Sequence, residues 1–173
     1  MSGDHTAYGP GVPVLRPLVH ADLDDLLVVQ REGAIAGLGH IFPQEANPFP
    51  VERIRERWAR EIDDPGIDCF AVVDDGRVAG FAATRGAELL HFGTAVDTWG
   101  TGLAGEAHDA LVQHLGDQGH AVASLRVFEE NERAVRFYVR RGWRDTGVTS
   151  RTTFAPFPVL RRYELTLEEG QRY

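Results

Sequence analysis

Apolar positions recur at helical spacing in four stretches of the chain and alternate in seven others, and the two periods lay out an ordered series of elements. A short strand, Val12 to Arg16, comes first. A helix follows from about Ala21; its first turn carries Asp22, Asp24 and Asp25, the sign the helix dipole favours there, and Gly33, Gly37 and Gly39 end it. The segment from His40 to Pro50 holds too many prolines for regular structure. A second helix then puts Val51, Ile54, Trp58 and Ile62 on one face until Pro65-Gly66 stops it. Cys69 to Val73 and Val78 to Thr84 predict a hairpin through Asp74-Asp75-Gly76, because Asp-Gly supplies the positive φ such turns need. Glu88 to Val96 predicts a further strand. Gly100 to Gly119 holds a helix with Leu103, Ala107, Ala110, Leu111 and His114 along one stripe, and Ala121 to Phe128 is a strand. Asn131 to Arg141 predicts a short helix burying Ala134, Phe137 and Tyr138, before strands at Trp143 to Val148 and Val159 to Leu167.

The order βααβββαβαββ, hairpins first and one strand–helix–strand crossover in the middle, predicts an α+β fold. Its sheet is mixed and mostly antiparallel, flanked by about four helices. At 173 residues the chain suits a single domain over residues 12–173, preceded by a loose arm, Met1 to Gly11, rich in glycine. A domain of this size holds a core without disulfides or structural metal, and the lone Cys69 reads as an inert strand residue. All 18 basic residues are arginine, so lysine nucleophiles, Schiff-base lysines and phosphate-loop lysines are excluded. The net charge of −8 argues against a general nucleic-acid binder. Residues 126–162 run the other way, with nine arginines against Glu129, Glu130, Glu132 and Asp145, a bias suited to an anionic ligand. No signal-peptide pattern and no run of apolar residues long enough for a bilayer is present, so a soluble, cytoplasmic monomer or homodimer without a membrane partner is expected.

The chemistry concentrates in Trp99-Gly100-Thr101-Gly102-Leu103-Ala104-Gly105, between a strand and a helix. Glycines one residue apart let the backbone turn tightly, so that N–H groups at the helix start converge on one point, which suits phosphate. Gly100, Gly102 and Gly105 also spell the dinucleotide fingerprint G-x-G-x-x-G, with Glu129 near the ribose-binding position. A second element has no role in a dinucleotide fold: Asn131-Glu-Arg-Ala-Val-Arg-Phe-Tyr138, followed by Val-Arg-Arg-Gly-Trp143. The spacing N-x-x-A-x-x-F-Y-x-x-R-G-W, about thirty residues after the glycine turn, resembles the second signature of the GNAT superfamily of acyl-CoA-dependent N-acyltransferases. The first signature, [Q/R]-x-x-G-x-[G/A], is similar to Trp99 to Ala104, with tryptophan where glutamine or arginine is usual.

The resemblance extends in element order from about Val12 to Leu167, and it implies an acetyl-CoA site and a splayed strand pair. By that resemblance the pyrophosphate rests on the amides of Gly100, Thr101, Gly102, Leu103 and Ala104, with Trp99 beside them. The pantetheine arm pairs along Phe92, Gly93 and Thr94. A glycine inside a strand suggests a bulge or close backbone approach, which fits Gly93. The Phe92 N–H is then placed to polarise the thioester carbonyl. Tyr138 corresponds to the phenol that reaches the coenzyme sulfur as general acid, and Asn131, first a helix N-cap, also contacts the cofactor. Glu88, eleven residues before Trp99, matches the position of a carboxylate base in members that use one. His91 is the rival, its side chain expected on the face opposite Phe92 and Glu88, and water is a third possibility. The loop from His40 to Pro50, with Phe42 and Glu45, is where members often cover the acceptor, a small-molecule or peptide amine. The remaining histidines show no metal-ligand spacing. The expected activity is acetyl transfer from acetyl-CoA to a primary amine by direct attack. A non-catalytic acyl-CoA sensor and a dinucleotide binder are the other readings.

Overall fold

The structure is a computed structural model that describes residues 13–168; the expected arm, Met1 to Gly11, lies outside the described residues, as does Val12. The elements follow the predicted order: β1 (Leu15–Pro17), α1 (Leu23–Leu38), α2 (Val51–Asp63), β2 (Ile67–Asp74), β3 (Arg77–Arg85), β4 (Glu88–Thr94), α3 (Leu103–Asp117), β5 (Val122–Phe128), α4 (Glu132–Arg140), β6 (Arg144–Arg151) and β7 (Val159–Thr166). Short 3₁₀ turns sit at His20–Asp22 and Val96–Thr98. The β2–β3 turn carries positive φ at Asp75 (51°) and Gly76 (75°), as its sequence requires.

Gly33 and Gly37, expected to end α1, lie inside it. Each costs about 1 kcal/mol of helix propensity, which the buried face of Leu23, Leu26 and Leu27 outweighs. Gly37 serves packing, since a Cβ there would touch the Trp99 ring at 3.4 Å.

Seven strands form one sheet in the order β1-β2-β3-β4-β5-β7-β6, and every neighbouring pair is antiparallel except β4–β5. One parallel pair leaves no doubly wound half in which a dinucleotide would sit, so the fingerprint reading of Gly100, Gly102 and Gly105 is overturned. Gly105 instead accommodates Arg141, whose guanidinium would clash with a Cβ, and Glu129 pairs with Arg161. Two cores cover the two faces. Leu26, Trp58 and Phe81 lie in one, under α1 and α2; Leu89, Leu111, Leu125, Tyr138 and Trp143 lie in the other, under α3 and α4.

The β4–β5 pairing covers only Glu88↔Ser124 and Leu89↔Leu125. On its other edge β4 pairs with β3 as Ala83↔His91 and then Thr84↔Leu89, leaving Leu90 as a bulge residue. The bulge thus falls at Leu90 rather than at Gly93. Gly93 provides the close approach instead: a Cβ there would stand 2.6 Å from the Phe81 ring. The bulge also resets alternation. Leu89 and Phe92 face α3, whereas Leu90 and His91 both face the α1–α2 side. Glu88, next to Leu89, faces that same side with Arg126, which alternates with Leu125 and Val127 of the α3–α4 core. Simple alternation had separated Glu88 from His91; the bulge brings them to one face.

Candidate active site

Past Leu89, β4 and β5 diverge and a cleft of about 930 Å³ opens between them. The Ala95 N–H donates to Ala79 O at 2.8 Å, so alternate peptides, those of Phe92 and Thr94, turn toward the edge that β5 has left. The Trp99 indole N–H takes up the Thr94 carbonyl at 3.0 Å. The amide of Phe92 remains a strand edge facing the cleft.

Beyond Trp99 the chain turns through Gly100 (φ 82°) and Gly102 (φ 93°), conformations open to glycine, with no atom within 4 Å of where either Cβ would stand. Gly102 caps α3, and the first amide to bond back is Glu106, to Gly102 O. Ala104 and Gly105 therefore present amides with no partner inside the helix, at its positive end. Leu103 N–H reaches Thr101 Oγ1 only at 3.4 Å. This backbone suits an oxyanion such as the phosphates of coenzyme A: the cradle is one that Cβ atoms would fill. The turn forms an open rim; the lining of the cleft itself reaches Trp99 and stops there.

The Trp99 ring is held between α1 and α4. Gly37 lies against one edge, and the Arg133 guanidinium stacks 3.4 Å from its centroid. A guanidinium thus stands beside the turn even though tryptophan occupies the usual Gln or Arg position.

Asn131 accepts from the Ala134 N–H at 3.3 Å, capping α4 and lining the cleft. Tyr138, in the last turn of α4, is 8% exposed; its ring meets Phe137 and Trp143 edge-on at centroid distances of 5.4 and 5.8 Å. Its hydroxyl hydrogen-bonds to none of the described residues, the side chain is part of the cleft lining, and burial raises its pKa further above the usual phenol value. Trp143 is anchored in turn: its indole donates to His108 Nε2 at 2.9 Å, which places the imidazole proton on Nδ1, toward Asp109. Burial lowers the His108 pKa, so the neutral ring that this bond needs is the favoured one. That chain of contacts locks α3 to the end of α4 and fixes the Tyr138 ring.

Across the cleft, Glu88 lies 3.4 Å from Arg126 Nε. The His91 ring packs at a tilt against Trp58, centroids 5.0 Å apart, and donates Nε2–H to Glu61 at 2.9 Å, leaving Nδ1 without a partner among the described residues. Burial raises the Glu61 carboxyl, but the His91 bond and the charges of His91, Arg57 and Arg85 outweigh it and hold it below the usual range. Glu88 and His91 both line the cleft.

The loop before α2 contributes Phe42, packed on Phe128 and Phe154 at 5.3 and 5.9 Å, and Gln44. The expected His40 and Glu45 are not part of the lining: His40 donates to Glu130 O at 2.7 Å, and Glu45 is exposed. Sequence reasoning missed Arg53, Arg57 and Arg60, which line the cleft from α2. Their i, i+4, i+7 spacing was legible as a helix face, but nothing in one sequence said what that face meets. The Cys69 thiol is pushed up to about 12 by burial and by the charges of Glu61, Asp68 and Asp64, which disfavours the thiolate.

A family model described as "Acetyltransferase (GNAT) family" matches residues 35–143. No curated protein matches the sequence. Among solved structures, a spermidine N-acetyltransferase from Vibrio cholerae in complex with CoA and spermine superposes with a TM-score of 0.68 at 18% identity, covering 88% of this chain and 94% of that one. A ribosomal-protein-S18-alanine N-acetyltransferase from Escherichia coli gives a TM-score of 0.65 at 18% identity over 92% and 97% of the two chains. An N-acetyltransferase from Staphylococcus aureus Mu50 gives 0.66 at 17% over 89% and 98%.

Proposed function

Because the chain belongs to the GNAT acetyltransferase family, we propose that it moves the acetyl group of acetyl-CoA to the amine of a small molecule or peptide by direct attack. The observation that carries this reading is the cleft between β4 and β5, where a free strand edge, a buried phenol and a carboxylate meet beside a phosphate-suited turn. The Gly100 to Ala104 backbone and the Arg133 guanidinium bind the cofactor phosphates, and the edge of Phe92 to Thr94 pairs with the pantetheine amides. The Phe92 N–H donates to the thioester oxygen as that oxygen gains charge, and the Tyr138 hydroxyl gives its proton to the departing sulfur. Glu88 takes the proton of the ammonium, so that a neutral amine attacks. Its place on the acceptor face, set by the bulge at Leu90, supports that role. The Glu61–His91 bond favours a second assignment, in which His91 Nδ1 is the base and Glu61 holds the ring.

Release of free thiol from acetyl-CoA in the presence of a panel of amines tests the reading. Amine-dependent release supports it. Tight coenzyme binding with no release under any amine would leave a sensor on the same fold.

A further inference from the structure

Five arginines line the cleft, Arg53, Arg57, Arg60, Arg126 and Arg133, against one carboxylate, Glu88, in a chain of net charge −8. Arg133 stands at the glycine turn, on the Trp99 ring. The other four are elsewhere. Arg126 is on the α1–α2 face beside Glu88, and Arg53, Arg57 and Arg60 share one stripe of α2, the helix whose Glu61 holds His91. The amides suited to the cofactor phosphates belong to α3, which covers the opposite face of the sheet.

Pairing within α2 accounts for little of the stripe: its one ion pair among the described residues is the long Arg57–Glu61 contact, at 3.9 Å. Arg55, on another side of the helix, bonds Asp24 at 2.7 Å, whereas Arg53 and Arg60 make no ion pair or hydrogen bond among the described residues. Arg57 is more telling. Its Nε is shut off from solvent and has no hydrogen-bond partner among the described residues. The nearest carboxylate, Glu61, lies 3.9 Å from that Nε and is already engaged by His91 at 2.9 Å. That Nε is closed to a ligand as it is to water, but the side chain as a whole keeps 37% of its surface accessible in the cleft wall, so an oxyanion can meet the guanidinium through its Nη groups, which bond none of the described residues.

We propose that the acceptor carries an oxyanion, a carboxylate or a phosphate, besides its amine, and that Arg57, flanked by Arg53 and Arg60, binds that group. This rests on the acetyltransferase reading above. The planar guanidinium fork fits either oxyanion. Charge then orients the molecule: the ammonium goes to Glu88, the one carboxylate in the lining, and the anion to α2. A polyamine would bring its second cation against four guanidinium groups, so it is disfavoured.

The test uses the full chain with acetyl-CoA. Initial rates of thiol release are compared for ω-amino acids of graded length, n-alkylamines and α,ω-diamines of the same lengths, and phosphoethanolamine. The expected result is a kcat/KM for the anionic amines about tenfold or more above the neutral and dicationic ones, the size of one charged hydrogen bond. The ranking of carboxylate against phosphate names the oxyanion. Arg57→Gln removes the preference by raising KM with kcat kept, while coenzyme affinity is unchanged. Arg57→Met keeps the buried stem and Arg60→Gln lies at the surface; both serve if Arg57→Gln folds poorly, the first with the full loss and the second with a smaller one.

Equal or faster turnover of alkylamines or diamines overturns the inference, and so does a fall in coenzyme affinity in Arg57→Gln, which would give the arginine to the cofactor. If no amine is turned over, the coenzyme-loaded chain is titrated with N-acetyl ω-amino acids and with N-alkylacetamides. Tighter binding of the anion that is lost in Arg57→Gln supports the inference, and no preference overturns it. A chain that binds no coenzyme at all sinks the acetyltransferase reading and this inference with it, a result distinct from coenzyme binding without anion preference.

Discussion

Replacing Tyr138 by phenylalanine deletes one oxygen from the site and leaves the ring contacts with Phe137 and Trp143 in place. Since the hydroxyl bonds no described residue, the fold loses no internal hydrogen bond, and the stability change is expected within about 0.5 kcal/mol. Truncation to alanine, by contrast, would open a cavity and cost about 3–5 kcal/mol. The kinetic effect is of another size. A general acid contributes about 10²–10⁴ in rate, equivalent to roughly 3–5 kcal/mol of barrier, whereas a single hydrogen bond to the sulfur in the ground state contributes about 1 kcal/mol. Burial that raises the phenol also disfavours a charged thiolate in the same cleft, so the two shift in the same direction and the raised phenol is not by itself a barrier to the proton transfer. The assay measures kcat, coenzyme affinity by calorimetry and melting temperature on Tyr138→Phe. Turnover should fall at least about a hundredfold with affinity and melting temperature nearly unchanged. A kcat within about threefold of the parent refutes the acid role, and a raised KM with kcat kept reduces the phenol to positioning the thioester.

Gly102→Val puts a β-branched residue at φ 93°, so the turn must rearrange and coenzyme affinity should drop about tenfold or more; unchanged affinity in a folded variant rejects the turn as the phosphate site. Glu88→Gln should lower turnover about 10²-fold with coenzyme affinity kept, while near-parental turnover transfers the base to His91 or water. Asp22 accepts from both Nη atoms of Arg16 at 2.8 Å and from the Val19 N–H at 2.9 Å, and these bonds, the Arg16 pair first, hold its carboxyl below the usual range. A depressed folded-state value means that its stabilisation is complete above the ordinary pKa of about 4 and is lost as pH falls through the folded value. Asp22→Asn should therefore cost about 1.5–3 kcal/mol at neutral pH and flatten the acid side of the stability curve, and a parallel curve would show the pair to be inert.

Most boundaries were legible because each rests on local chemistry: Val51 opens α2, Asp75-Gly76 turns the hairpin, and Asn131 caps α4. What failed to show was non-local. Gly33 and Gly37 read as a stop because propensity does not know that α1 buries a leucine face or that Trp99 presses on Gly37. The glycine turn and Tyr138 were legible as motifs, and the structure brings Tyr138 to the cleft and the turn to its rim. The bulge at Leu90 was invisible, because it arises from how β4 meets β3, and with it went the common face of Glu88 and His91. The Glu61–His91 bond joins α2 to β4 across about thirty residues, a separation that no periodicity encodes, and the cleft that the arginine face of α2 lines was equally hidden.

The position of Trp99 gives the molecule a built-in optical reporter. The chain has three tryptophans; Trp58 and Trp143 are sealed at 0% and 3% exposure, so water does not reach their rings. Trp99 alone combines partial exposure, a stacked guanidinium and a seat at the mouth of the cleft. Its emission is expected at longer wavelength than that of the two sealed rings, and to change when a ligand displaces water from it or moves Arg133 from its face. Binding at the rim should therefore be visible in the ultraviolet fluorescence of the unlabelled chain, with Trp99→Phe, which keeps only the two buried tryptophans, as the unresponsive control.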